Sequence, residues 1–216
     1  THTPIGTRGI TQMLVMAPTR ELAMQSDVVC KEVAHFALNK STCIKSVCIY
    51  GGVSKSEQKF QIKQGVEIIV ATPGRLKDLV DEGCIDLSHV HYLVLDEADR
   101  MLDEGFEPVI KAIVSRCPTA EQGRQTIMFS ATWPEEIRKL ANTYLKNDVI
   151  RIVVGGDELS ANHRVTQIVE CIDKFSKDRK LLEIMNTYYN KLTQNKILVF
   201  VLYKREATVV LNNLLA

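Results

Sequence analysis

His91-Tyr92-Leu93-Val94-Leu95-Asp96-Glu97-Ala98-Asp99-Arg100 joins a short apolar run to a cluster of acid. Tyr92 to Leu95 reads as a strand buried on both faces, the kind found inside parallel sheets. Its carboxyl end carries Asp96 and Glu97, and open α/β sheets bind ligands beyond the carboxyl ends of their strands. One carboxylate there can hold a Mg²⁺ ion carrying nucleotide phosphates. The next can polarise an attacking water. Taken alone, an Asp-Glu pair is more often just a solvated strand end, so the flanking sequence has to decide.

Working outward, Met13 to Ala17, Ile44 to Tyr50, Val66 to Ala71 and Gln125 to Phe129 read as four further strands. Helical patterns alternate with them, which predicts an α/β domain with a parallel sheet and helices on both faces. The strand ends differ in chemistry. Met13 to Ala17 runs into Pro18-Thr19-Arg20, where Thr19 can cap a helix and Glu21 suits its first turn. Leu22, Val29, Val33 and Phe36 recur at helical spacing and are expected to face the sheet. Val66 to Ala71 runs into Thr72-Pro73-Gly74-Arg75, where Pro73 fits the first helical position and Thr72 its cap. Helix openings of this kind present N–H groups and a dipole that favour a phosphate; the plain alternative is an N-cap with a solvated arginine. Gly51-Gly52 ends the 44–50 strand and allows either close backbone approach or a simple turn.

Ser54 to Gln64 reads as a helix with Lys55, Lys59 and Lys63 on one face. That stripe could face a polyanion, but an ordinary solvated face is the expectation. Phe106, Val109, Ile110 and Ile113 supply a helical core face, and Trp133 is expected to pack. Asp148 to Val154 is expected to close the first domain as its last strand, with a polar linker at 155–164. After it come an expected strand at Val165 to Ile172, a helix at Lys177 to Tyr188, a strand at Lys196 to Leu202 and a helix at Lys204 to Leu215.

The chain has 216 residues, with 27 Lys+Arg against 26 Asp+Glu. The near-zero balance means that any polyanion site must be a local patch. Six cysteines are scattered without a Cys-x-x-Cys pair and read as reduced, mostly buried thiols of an intracellular protein. No apolar run reaches membrane-spanning length. The chain does not begin with Met and reads as an excerpt of a longer protein.

Asp96-Glu97-Ala98-Asp99 resembles motif II of the DEAD-box ATP-dependent RNA helicases of superfamily 2. The rest of the first-domain signature follows in order. Pro18-Thr19-Arg20-Glu21-Leu22-Ala23 is similar to motif Ia, Gly51-Gly52 to the glycine doublet, Thr72-Pro73-Gly74-Arg75 to motif Ib and Ser130-Ala131-Thr132 to motif III. The wording at Ser130 to Pro134 and at Leu202-Tyr203-Lys204 is most similar to the ribosome-assembly and p68-like branches.

The resemblance implies two RecA-like domains: an N-terminally incomplete ATP-binding domain at 1–154 and the beginning of a second at 165–216. It implies ATP and Mg²⁺ as cofactors. Asp96 would bind the metal, and Glu97 would activate the attacking water. Asp99, Ser130 and Thr132 would couple nucleotide state to RNA grip. Thr19, Arg20, Gly52, Thr72, Gly74 and Arg75 would hold one RNA strand by its backbone. It further implies RNP or ribosome-assembly proteins as partners, a monomer, no membrane and a nuclear or nucleolar setting.

No Gly-x-x-x-x-Gly-Lys-[Ser/Thr] loop occurs in the chain, so the excerpt by itself is expected to lack ATPase activity. It is also expected to leave a strand edge unpaired. One alternative reading is a catalytically incomplete RNA- or partner-binding module; another is a helicase acting on DNA.

Overall fold

The computed structural model describes residues 10–37, 44–146, 148–154, 165–173, 175–190 and 195–215, with no side-chain description for 35–37. The expected linker at 155–164 and the side chain of Phe36 therefore lie outside the described residues. The chain divides into two compact units, Thr1–Ile152 and Val153–Ala216.

In the first unit the elements run β1 (Met13–Met16), α1 (Arg20–Ala37), β2 (Ser46–Ile49), α2 (Lys55–Lys63), β3 (Ile68–Ala71), α3 (Pro73–Asp81), β4 (Tyr92–Leu95), α4 (Ala98–Asp103), α5 (Glu107–Val114), β5 (Gln125–Met128) and α6 (Glu135–Tyr144). The five strands form one parallel sheet in the order β2-β3-β1-β4-β5. Leu14 stands level with Ile69 on one side and Leu93 on the other.

Strand order and connection handedness together decide how the faces are covered. Of the crossovers, only β1 to β2 moves in one direction along the sheet; β2 to β3, β3 to β4 and β4 to β5 all move in the other. Right-handed crossovers then put α1 on one face and the remaining connecting helices on the opposite face. The core has that asymmetry. Leu14, Met16, Leu93 and Leu95 point into a large cluster with residues of α3, α4, α5 and α6, among them Leu76, Met101, Ile110 and Leu140. Val15 and Val70 point the other way, into a small cluster completed by Ala23 and Cys30 of α1.

Several expectations change as a result. β4 is not buried on both faces: Tyr92 is 49% exposed, while Leu93 and Leu95 are fully buried. The inner face of α1 also differs from its apolar spacing. Ala23, Asp27 and Ala34 are buried, whereas Val29 and Val33 are exposed. Small residues let this helix lie close to the sheet. Asp27 tolerates burial because Ser46 Oγ (2.5 Å) and Lys31 Nζ (2.6 Å) satisfy its carboxylate. Phe106, Val109, Ile110, Ile113 and Trp133 do pack on the large cluster. Asp148 to Val154 forms no strand.

In the second unit α7 (Lys177–Tyr188) and α8 (Lys204–Leu215) form where helical spacing placed them, joined by Asn213 Nδ2 donating to Asp178 Oδ2 at 3.2 Å. Val165 to Ile172 and Lys196 to Leu202 form no paired strand among the described residues. β-propensity reports a readiness to sit in a sheet, and without ladder partners such runs have little independent stability.

The five described cysteines, Cys30, Cys48, Cys84, Cys117 and Cys171, are free thiols. Only Cys117 is fully buried, so "mostly buried" overstated their cover. Burial pushes the Cys48 and Cys117 thiols up to about 11, which keeps them protonated and unreactive. No described helix is long and apolar enough to cross a membrane.

Candidate functional site

Because all five strands are parallel, their carboxyl ends share one rim. Along it stand Gly51-Gly52 after β2, Thr72 to Arg75 after β3, Pro18 to Arg20 after β1, Asp96-Glu97 after β4 and Ser130 to Thr132 after β5. The hydrogen-bond ladder persists to the rim itself: Thr72 N donates to Ile49 O (2.9 Å), Ala17 N to Ala71 O (3.0 Å), Asp96 N to Met16 O (2.9 Å) and Phe129 N to Leu95 O (2.9 Å). Neighbouring strands lie about 4.8 Å apart, so the glycine doublet and the acid pair, three strands away, are separated by roughly 15 Å along the edge.

β1 is the strand whose chain turns to the other face. Its connection therefore leaves for the opposite face from those of both neighbours, the strand order at which open α/β sheets bind ligands. Pro18 to Arg20 has Asp96-Glu97 on one side and Thr72 to Arg75 on the other.

At the acid pair the backbone is held in an unusual form. Glu97 has φ 50° and ψ 55°, the left-handed region, and it alone among the described non-glycine residues has a positive φ. Such a conformation costs about 1–2 kcal/mol. It is locked by β-ladder bonds before it and by Ala98 N donating to Phe129 O at 3.0 Å after it. Asp96 and Glu97 are both half-buried. Nothing in the residue types at 96–98 announces this turn.

Asp99, in the first turn of α4, is tied to the end of β5. Thr132 donates to Asp99 Oδ2 twice, from its backbone N (2.9 Å) and from Oγ1 (2.8 Å). Partial burial works against the Asp99 charge, but the Thr132 bonds, together with one from Arg100 N (3.0 Å), outweigh it and hold the carboxyl below its ordinary value. Ser130 Oγ gives its hydrogen bond to the Thr132 carbonyl (2.8 Å) and also favours the Asp99 anion. The expected coupling trio is thus one connected unit. An open cavity of about 320 Å³ lies beside it, with Asp103, Glu107 and Glu136 at its walls and Leu102 and Ile137 beneath; Asp96 and Glu97 do not line it.

The residues expected to hold a polymer backbone are arranged less uniformly. Thr19 Oγ1 accepts from Leu22 N at 3.3 Å, the expected cap. Arg20 is exposed and pairs with exposed Glu21 at 2.6 Å, a contact that a stronger anion can replace. Thr72 occupies the N-cap position of α3 but its side chain makes no cap bond, contrary to expectation; Pro73 at the first position removes the need for one donor. Gly52 has φ +85°, which a side chain rarely adopts, and Gly74 faces open space.

Arg75 is half-buried and bonds to protein. Nη1 and Nη2 both donate to Val53 O at 3.2 Å, and Nη1 also donates to Gln58 Oε1 at 2.9 Å. Lys55 and Lys59 are held by Glu82, at 2.7 and 2.6 Å. Two of the three stripe lysines are therefore paired on an exposed face, in line with the solvated reading.

The sequence profile of the DEAD/DEAH box helicase family matches residues 6 to 140. The chain belongs to the DEAD/DEAH box helicase family. It is 48% identical to DEAD-box ATP-dependent RNA helicase 5 of rice over 202 residues, covering 93% of this chain and 38% of that protein. It is likewise 48% identical to ATP-dependent RNA helicase DBP3 of Saccharomyces cerevisiae, covering 96% of this chain and 38% of that protein. To the DBP3 helicase of Candida albicans it is 50% identical, with 91% and 34% covered. The chain spans little more than a third of the length of these curated relatives. Its five-stranded parallel sheet, helix-covered on both faces, is the RecA-like α/β arrangement of a DEAD-box domain.

Proposed function

We propose that the protein carrying this chain is an ATP-dependent RNA helicase or RNP remodeller, an RNA-dependent ATPase that couples hydrolysis to strand separation. One observation carries the reading: the acid pair and two helix openings suited to phosphate share a rim, where the opening at Pro18 to Arg20, after the single strand whose chain turns to the opposite face, stands between Asp96-Glu97 and Thr72 to Arg75. Fuel chemistry and polymer grip are then neighbours through β1.

The donor set suits Mg²⁺. Among the described residues no three carboxylate, histidine or cysteine groups gather into a metal cage, and Mg²⁺ is usually held by one or two carboxylates together with phosphates and water. Asp96 would hold the ion, which when bound neutralises phosphate charge. Glu97, fixed by its left-handed backbone, orients the attacking water and accepts its proton.

Thr19, Arg20, Gly52, Thr72, Gly74 and Arg75 bind one RNA strand through sugar and phosphate. Such contacts carry little base information, so sequence preference is weak, and 2′-hydroxyls favour RNA over DNA. Asp99, Ser130 and Thr132 link the acid pair to the end of β5 and so to domain closure. We assign residues 1–154 to the first RecA-like domain and 165–216 to the start of the second. The wording of 130–134 and 202–204 supports a role in ribosome assembly, hence a nucleolar protein that works as a monomer with RNP partners.

The test is Glu97→Gln in the full-length protein. RNA-stimulated phosphate release should fall by about 10²- to 10⁴-fold while ATP and RNA binding persist. Turnover at the wild-type rate would remove Glu97 from this role.

A further inference from the structure

Gln58 lies in a helix that otherwise reads as a solvated face, yet it is only 5% exposed. Its Nε2 donates to Tyr50 O at 3.1 Å, and its Oε1 accepts from Arg75 Nη1 at 2.9 Å. The amide can face only one way. A carbonyl can only accept and a guanidinium can only donate, so the NH₂ must meet Tyr50 and the oxygen must meet Arg75. Arg75 in turn donates twice to Val53 O. Tyr50 immediately precedes Gly51-Gly52, and Val53 immediately follows.

We propose that Gln58 and Arg75 form a clamp that holds the glycine doublet in its working shape by tying down the carbonyl on each side of it. The doublet needs such support. Gly52 sits at φ +85°, and a side chain added at either glycine would point into open space, so the doublet has no side chain of its own to anchor it. Glycine loses more conformational entropy on ordering than any other residue, and an RNA backbone meeting a loose loop would bear that loss itself.

Arg75 then has two tasks. Three of its five N–H donors are engaged in the clamp, and two remain for a phosphate. Gln58 is a positioning residue that touches no RNA. The proposal rests on the reading of the rim as an RNA site.

The test uses the full-length protein and a ten-nucleotide uridine RNA, with affinity read by fluorescence anisotropy in the presence of a non-hydrolysable ATP analogue. Gln58→Met fills the same space and removes both bonds. RNA affinity should weaken about tenfold, while the affinity for the ATP analogue stays within about twofold. Gln58→Glu keeps the acceptor for Arg75 and loses the donor to Tyr50, so it should recover part of the loss. If the Met variant fails to fold, the Glu variant decides, and wild-type RNA affinity in it would overturn the clamp. Arg20→Ala separates the two levels. Weakened RNA binding in Arg20→Ala with unchanged binding in Gln58→Met overturns the clamp alone. No RNA binding by the wild type, or no effect of either change, overturns the RNA reading and the clamp with it.

Discussion

Thr132 binds one oxygen of Asp99 with both its backbone N–H and its hydroxyl, at 2.9 and 2.8 Å. The pair bridges the start of α4 and the end of β5, so any shift of one strand end is felt at the other. Thr132→Val keeps the N–H bond and removes the hydroxyl bond. A hydrogen bond to a charged group contributes about 1.5–3 kcal/mol, so RNA unwinding by the full-length protein should fall by about tenfold or more. ATP hydrolysis, which we assign to Asp96 and Glu97, should fall much less. Equal losses in both assays would mean that the pair does not couple them.

The same pair has a pH signature. The folded Asp99 carboxyl lies below its ordinary value of 3.8. Its contribution to stability is therefore fully present above about pH 4 and is lost as pH falls through the lower folded value. The stability difference between wild type and Thr132→Val, measured by urea unfolding, should shrink in that acid window. A difference that stays constant down to pH 2 would exclude a charged Asp99 as its source.

Glu97→Gly should separate stability from chemistry. Glycine adopts a left-handed turn without the side-chain penalty, so the folded chain should gain up to about 1 kcal/mol while RNA-stimulated ATPase is lost. Glu97→Ala should lose activity without the gain. A lower unfolding midpoint for the glycine variant than for the alanine one would show that the φ of 50° carries no strain.

Glu82 is predicted to titrate near 2, because hydrogen bonds from Lys55 and Lys59 favour its anion. Its stabilising effect is present above the ordinary value of 4.5 and disappears as pH falls through about 2. A carboxyl-carbon NMR titration should show this at low salt, with the midpoint rising in Lys59→Ala and at high salt. Since both lysines already serve Glu82, Lys59→Gln should leave RNA affinity within about twofold. A larger loss would restore the stripe as an RNA contact.

Arg124 is 5% exposed and pairs with no carboxylate among the described residues; its guanidinium donates to Pro118 O at 2.8 Å, to Thr126 Oγ1 at 3.1 Å and to Tyr144 O at 3.4 Å. It pins the start of β5 to the end of α6. Arg124→Met leaves the buried Tyr144 carbonyl and two part-buried acceptors without their donor, which should destabilise the fold by about 1–3 kcal/mol in urea unfolding. A change under about 0.5 kcal/mol would show that water replaces the guanidinium freely.

The strand ends, their motif residues and the alternation of strand with helix could all be read from the chain alone. Each is a local signal: a four-residue apolar run, a proline at a helix start, an acid doublet where the run stops. Those signals placed Asp96, Thr19 and Thr132 at strand ends, and parallel strands bring all such ends to one rim. What they could not supply was the strand order. Pairing is a long-range choice, and the order β2-β3-β1-β4-β5 is what seats the acid pair next to Pro18 to Arg20, leaves Tyr92 uncovered and turns Val29 and Val33 outward. The left-handed backbone at Glu97, and the Gln58 and Arg75 bonds around the glycine doublet, likewise depend on neighbours distant in sequence, because a backbone strain or a buried polar group persists only where packing from elsewhere holds it.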